Sequence, residues 1–177
     1  MLYTRKGDGG TSGSFGTKER RAKTDPLFEA LGSLDEANSL LGICKSKVRK
    51  VHKVYKILEQ IQQDLFIIQA EVAGADKHIT EEKVKWLEEK VDAIEKTLPP
   101  ITTFFVSGAT EAGAWLDYAR AVARRTEREV LRSLGEVGPH LPDNTRAYLN
   151  RLSSLLYALA RQENQRRGKM EQSPKYE

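Results

Sequence analysis

The chain has 177 residues, 39% of them apolar and 31% charged, with a formal net charge of +4. That length suits one domain with a real core, and so small a positive charge fits a compact polyanionic ligand without requiring nucleic acid. No apolar run is long enough to span a membrane, no signal peptide is expected, and the single cysteine, Cys44, excludes an internal disulfide and fits a reducing, cytoplasmic setting.

The first sixteen residues hold five glycines, four Ser or Thr hydroxyls, Asp8, Arg5 and Lys6, with neither helical nor strand periodicity. Glycine tolerates positive φ and close approach of backbone to a ligand, and successive backbone N–H groups in such turns cradle anions. The segment reads as a phosphate-holding loop, although it lacks the spacing of a Walker loop. Its opening Leu2-Tyr3 reads as an anchor.

Beyond the loop the pattern is helical. Asp25-Pro26 reads as an N-cap followed by proline at the first helical position. Leu27, Leu31, Leu34, Ala37, Leu41 and Val48 then recur at helical spacing. A second helix is predicted over about 50–72, striped by Val51, Val54, Leu58, Ile61, Leu65 and Ile68 and broken at Gly74. Thr80 is expected to cap a third helix with Glu81 and Glu82 in its first turn, and Pro99-Pro100 to stop it. Residues 101–106 are β-branched and aromatic but too short and isolated for a sheet; a packed connector is expected. A fourth helix is predicted over about 108–134, a turn over 138–142, a fifth helix over about 143–167, and a frayed polar tail from Lys169. Five amphipathic helices with short connections predict an all-α, antiparallel five-helix bundle carrying a glycine-rich loop before it. The segments are 1–24 for the loop, 25–168 for the bundle and 169–177 for the tail.

Chemistry concentrates on the last two helices. At about 100° per residue, Arg120, Arg124 and Arg128 form one rising stripe beside the apolar face of Leu116, Ala119, Ala123, Val130 and Leu134. Glu127 lies at the edge of that face. A row of guanidinium groups is shaped to grip phosphate oxygens. Arg125 and Arg132 read instead as a solvated face with intrahelical partners. In the fifth helix Leu149, Leu152, Leu156 and Leu159 form the core stripe, while Asn150, Tyr157 and Arg161 share another face. His52, His78 and His140 have no ligand spacing, and no Ser/His/Asp or Cys/His set suggests a nucleophile.

Four stretches in this order, Tyr3-Thr-Arg-Lys-Gly-Asp-Gly-Gly, Phe28-Glu-Ala-Leu-Gly-Ser-Leu-Asp-Glu, Arg120-Ala-Val-Ala-Arg-Arg-Thr-Glu-Arg and Leu149-Asn-Arg-Leu-Ser, resemble the PduO-type ATP:cob(I)alamin adenosyltransferases. The resemblance implies a five-helix bundle, a homotrimer with sites between subunits, and transfer of the 5′-deoxyadenosyl group of ATP to cob(I)alamin with release of tripolyphosphate. By matching positions it implies ATP contacts at Thr4, Arg5, Lys6, Gly7, Asp8, Ser12, Gly13, Lys23, Arg124, Arg125, Thr126, Glu127, Arg128 and Asn150. It implies Mg²⁺ beside the triphosphate, an intersubunit pair between Asp35 and Arg120, and Phe104 beneath the corrin, with Phe105 an equal candidate on the residues alone. Arg124, Glu127 and Phe104 are the expected catalytic set. A reductase and an adenosylcobalamin-dependent enzyme are the expected partners.

The sequence departs from the family pattern at Ser12, Ser14, Ser107, Ala109 and Ser154, which bears on the loop path and the connector. Two competing readings are a non-catalytic nucleotide or cobalamin carrier, and a basic helix that binds nucleic acid through residues 120–132.

Overall fold

In a computed structural model of the chain the described residues are 2–16, 18–48, 52–134 and 141–176. Five helices follow a short hairpin. They are α1 (Pro26–Ser46), α2 (Lys53–Val72), α3 (Glu81–Glu95), α4 (Glu111–Leu134) and α5 (Asp143–Arg166). The predicted positions at 50, 51, 135 and 138–140 lie outside the described residues.

The start of α1 follows the expected signal, while α2 and α3 begin differently from expectation. Asp25 Oδ1 accepts from the Leu27 amide at 2.9 Å, and Pro26 takes the first helical position, where its missing N–H costs nothing. His52 caps α2 through Nδ1, at 3.3 Å from the Val54 amide. Thr80 occupies the cap position of α3, but its side chain makes no bond to the helix backbone. It bonds instead to the Glu82 carboxylate, which holds that group below its usual range.

Burial of one stripe per helix builds the core. Leu34 and Leu41 of α1, Ile61, Leu65 and Ile68 of α2, Leu87 of α3, Leu116 of α4 and Leu152 and Leu155 of α5 are all buried. Helix α1 packs on α2 and α4, α4 packs on α5, and α5 packs on α3. One polar knot ties the row together. Asp64 of α2, 1% exposed, accepts from Tyr148 Oη of α5 at 2.9 Å and from Gln60 Nε2 at 3.0 Å, and pairs with Lys83 of α3. Cys44 behaves as a small buried hydrophobe, and burial pushes its thiol up to about 12.

Three expectations need correction. The opening segment is not wholly irregular, because β1 (Thr11–Gly13) pairs antiparallel with β2 (Arg20–Ala22), Ser12 opposite Arg21. Its stabiliser is one side chain: Arg20 donates from Nε to Thr11 Oγ1 at 3.0 Å and from Nη2 to the carbonyls of Thr11 at 2.8 Å and Lys6 at 2.6 Å. Residues 101–106 are not a packed connector. Ile101, Phe104 and Val106 are exposed, and Phe105 alone of its apolar side chains is half-buried. The tail is not frayed at its start, since Val106 N donates to Gln172 O at 2.8 Å and Glu171 reaches back to α5.

Candidate functional site

The connector, α4 and α5 enclose a cleft of about 580 Å³. Phe104 and Phe105 form one side, Asp117, Arg120 and Arg124 of α4 the floor, and Ser153, Ser154 and Tyr157 of α5 the other side. Two sequence-predicted residues from different segments, Phe104 and Arg124, therefore meet in one space. Phe104 is 79% exposed. Phe105, which also borders the cleft, lies under the Arg161 guanidinium, 5.2 Å from ring centre to Cζ. The two neighbouring phenylalanines differ in burial, Phe104 being exposed and Phe105 half-buried.

The cations divide by whether they are already paired. The Arg120 guanidinium bonds Asp117 Oδ1 at 2.6 Å and lies 5.7 Å from the Tyr157 ring centre. Arg125 does not pair within its own helix; it crosses to both oxygens of Glu36 on α1 at 2.6 Å. Arg132 does follow the intrahelical pattern, with Glu129 at 2.5 Å. Arg128 Nη1 rests on the Arg124 carbonyl at 2.9 Å. The Arg124 guanidinium makes no hydrogen bond or ion pair among the described residues and lines the cleft. Beside it, Asn150 Nδ2 donates to Glu127 Oε1 at 3.1 Å, and Arg151 Nη1 donates to Asn150 Oδ1 at 3.1 Å. Glu127 and Asn150 thus form one oriented unit across α4 and α5.

Thr126 is differently placed. It is 1% exposed, and its hydroxyl donates to the Ser33 carbonyl of α1 at 2.9 Å. Within the chain that hydroxyl fastens α4 to α1, so Thr126 is not a free donor on the cleft side.

The glycine-rich loop stands apart from the cleft. Among the described residues no helix packs substantially against the hairpin. Leu2, Tyr3 and Phe15 are exposed, so Leu2-Tyr3 is not an anchor within this chain. Arg5 holds a left-handed backbone at φ 59°, with its guanidinium 5.5 Å from the Tyr3 ring centre; such a conformation costs an ordinary side chain roughly 1–2 kcal/mol. Lys23 N closes the loop on Gly10 O at 2.9 Å, and the Lys23 ammonium crosses Gly7 so closely that a Cβ there would lie 3.1 Å from Nζ. The loop therefore brings Lys23 against the turn that follows Thr4, Arg5 and Lys6, and all four residues are exposed. Asp35 is exposed on α1 and has no partner among the described residues.

Sequence reasoning missed Asp117, which carries Arg120 and also bonds Ser107 Oγ of the connector. The spacing of Asp117 and Arg120, three residues apart on one helix, was the available signal. Among the described residues no group of three His, Cys, Asp or Glu side chains is arranged to hold a metal ion, and no helix is long and apolar enough to cross a membrane.

Residues 2–163 match the family model described as cobalamin adenosyltransferase. The chain is 37% identical over 171 residues to the corrinoid adenosyltransferase PduO of Citrobacter freundii, which covers 92% of this chain and 50% of that protein. It is 37% identical over 167 residues to a second corrinoid adenosyltransferase of Citrobacter freundii, covering 90% of this chain and 93% of that protein. The chain thus spans about half the length of the first relative and most of the second. Among solved structures, a variant PduO-type ATP:corrinoid adenosyltransferase from Lactobacillus reuteri, complexed with cobalamin and ATP, superposes with a TM-score of 0.91 at 30% identity, covering 99% of this chain and 97% of that one.

Proposed function

Because this chain belongs to the cobalamin adenosyltransferase family, we propose that it transfers the 5′-deoxyadenosyl group of ATP to cob(I)alamin, giving adenosylcobalamin and tripolyphosphate. The observation that carries the reading is the meeting of an exposed phenyl ring, Phe104, with an unpaired guanidinium, Arg124, across one open cleft. A planar apolar group suits one face of a corrin. A free cation suits a departing polyphosphate.

The chemistry asks little covalent work of the protein. The cobalt(I) lone pair forms a bond to C5′ of ATP while the C5′–O bond breaks, and its electron pair leaves on the triphosphate. The chain's task is to hold the two substrates in line and to stabilise the charge growing on the leaving group. Arg124 has no competing partner among the described residues, so its guanidinium is available to the phosphates. Glu127, oriented by Asn150, presents an acceptor to the nucleotide. Phe104 shields the lower face of the corrin from water, which favours loss of the lower axial ligand and eases reduction to cobalt(I).

Thr4, Arg5, Lys6, Gly7, Asp8, Ser12, Gly13 and Lys23 supply a second phosphate-binding surface. A two-stranded hairpin alone is marginal in water, and among the described residues no helix packs substantially against this one. That supports a homotrimer in which the loop of one subunit completes the site on the next, with Asp35 as a partner for the neighbour's Arg120. Mg²⁺ is proposed to arrive on the triphosphate oxygens. Thr126 is assigned to fastening α4, and Arg125 and Arg128 to the rim of the nucleotide site. A cytoplasmic setting, a single domain, a reductase that supplies cobalt(I) and an enzyme that receives the product complete the reading.

The test is an anaerobic mixture of the protein, ATP, Mg²⁺ and chemically reduced cobalamin, followed by the corrin spectrum. Conversion to the adenosylcobalamin bands with release of tripolyphosphate is expected. ATP binding with no conversion would leave a carrier and remove the enzyme.

A further inference from the structure

The connector that carries Phe104 is fastened at both ends and free in the middle. Pro99 O accepts from Arg161 Nη2 at 3.0 Å, Phe105 lies under the same guanidinium, and Val106 N donates to Gln172 O at 2.8 Å. Where the connector enters α4, Thr110 Oγ1 donates to Asn164 Oδ1 at 2.8 Å. Residues 101–104 are exposed and form no hydrogen bond among the described residues.

These fastenings converge on one carboxylate. Glu171 accepts from Arg161 Nε at 2.8 Å and from Asn164 Nδ2 at 3.3 Å. Arg161 is only 5% exposed, and a guanidinium so deeply placed needs a partner. That partner comes from beyond the helix. Gly168, at φ +63°, reverses the chain, and Lys169 N donates back to Asn164 O at 3.0 Å. The return brings Glu171 onto α5 and Gln172 onto the connector. Gly113 leaves the necessary room, since a Cβ there would sit 2.1 Å from Asn164 Oδ1.

We infer that Glu171 and Arg161 form a latch that sets the position of the connector, so that the segment after α5 holds Phe104 against the cleft. Glu171 is a positioning residue: it acts on the corrinoid through Arg161 and the connector and touches neither substrate. The inference rests on the adenosyltransferase reading for its choice of ligand.

The test compares the full chain with Glu171→Gln, Glu171→Asp and a chain ending at Gly168. With ATP and cob(I)alamin as substrates, Glu171→Gln and the shortened chain are expected to raise KM for the corrinoid roughly tenfold, the size of one lost charge-assisted hydrogen bond. KM for ATP stays unchanged, and Glu171→Asp recovers part of the loss. Hydrogen exchange at the Val106 amide should accelerate while the amides of α5 stay protected. An unchanged corrinoid KM in both variants overturns the latch, as does a parallel rise in both KM values, which would signal general loosening. If the full chain turns nothing over, the function reading fails on its own. Corrinoid binding by absorbance then decides the latch: weakening by Glu171→Gln supports it and equal binding refutes it.

Discussion

Replacing Arg124 by Ala separates binding chemistry from folding more cleanly than any other single change in the cleft. Its guanidinium has no partner among the described residues and its side chain is exposed, so removal leaves no orphaned group in the core. The expected change in stability is within about 0.5 kcal/mol. In turnover the same change removes a preorganised cation from the leaving triphosphate, a loss of about 2.7–4 kcal/mol by analogy with single oxyanion-hole donors, or roughly 10²–10³ in kcat. Arg124→Lys keeps the charge but not the planar fork and should fall between the two. Arg132→Ala is the control, because that cation on the same helix is committed to Glu129 and lies away from the cleft. Steady-state adenosyl transfer and urea unfolding on the three variants give the answer. Turnover by Arg124→Ala within a fewfold of the Arg132→Ala control would rule out this role for Arg124, and so would a loss of stability large enough to account for the lost rate.

Tyr148→Phe removes one of the partners of the buried Asp64 carboxylate. A cost of about 1.5–3 kcal/mol is expected for a hydrogen bond to a charged group, which lowers Tm by roughly 3–12 °C at this size; a shift under one degree would show that Lys83 and Gln60 suffice. His78 is held above its ordinary value of 6.5 first by its bond to Glu71 and then by Asp76. A raised folded-state value means that the stabilisation is complete below about pH 6.5 and fades as pH climbs through the folded-state value. The stability gap between the native chain and His78→Gln should close over that window, and a gap that widens with pH would contradict the pairing. Cys44, buried and with its thiol pushed up to about 12, should react with an aromatic disulfide reagent at pH 8 only as fast as the chain unfolds. Rapid stoichiometric labelling of the native protein would contradict its burial.

The bundle was legible because its signals are periodic. Leu149, Leu152, Leu156 and Leu159 recur at helical spacing, and all four are buried. Asp25 and Pro26 mark a helix start by chemistry that needs only the neighbouring amides. Thr126 shows the opposite case. A motif assigned it to the nucleotide, yet it stands on the same stripe as Ala119, Ala123 and Val130, all of them buried, and helical geometry alone would have turned it inward. The hairpin escaped notice because strands of three residues carry too little alternation to detect, and its pairing depends on Arg20 bonding backbone carbonyls. The return of Glu171 to Arg161 left no periodic trace either. It depends on the reversal at Gly168, and a polar run after a helix reads the same whether it is solvated or docked. Adjacent Phe104 and Phe105 are equivalent in the sequence, and their difference in burial arises only because α5 brings the Arg161 guanidinium over Phe105.

The Asp64 knot also limits which bundles this sequence can form. Leucine and isoleucine stripes are permissive, and a helix slid by one turn still buries much the same apolar area. A carboxylate cannot slide with it. A slip of one turn along α5 would cost Asp64 its Tyr148 partner and a slip along α3 its Lys83 partner, either of which leaves a buried carboxylate under-satisfied, a cost that an alternative leucine contact does not offset. The charge acts as a registration pin that joins α2, α3 and α5, whose contacts are distant in sequence. Replacing Asp64, Lys83 and Tyr148 together by apolar residues should therefore leave a chain that still collapses into helices but whose amide spectrum broadens into several packings.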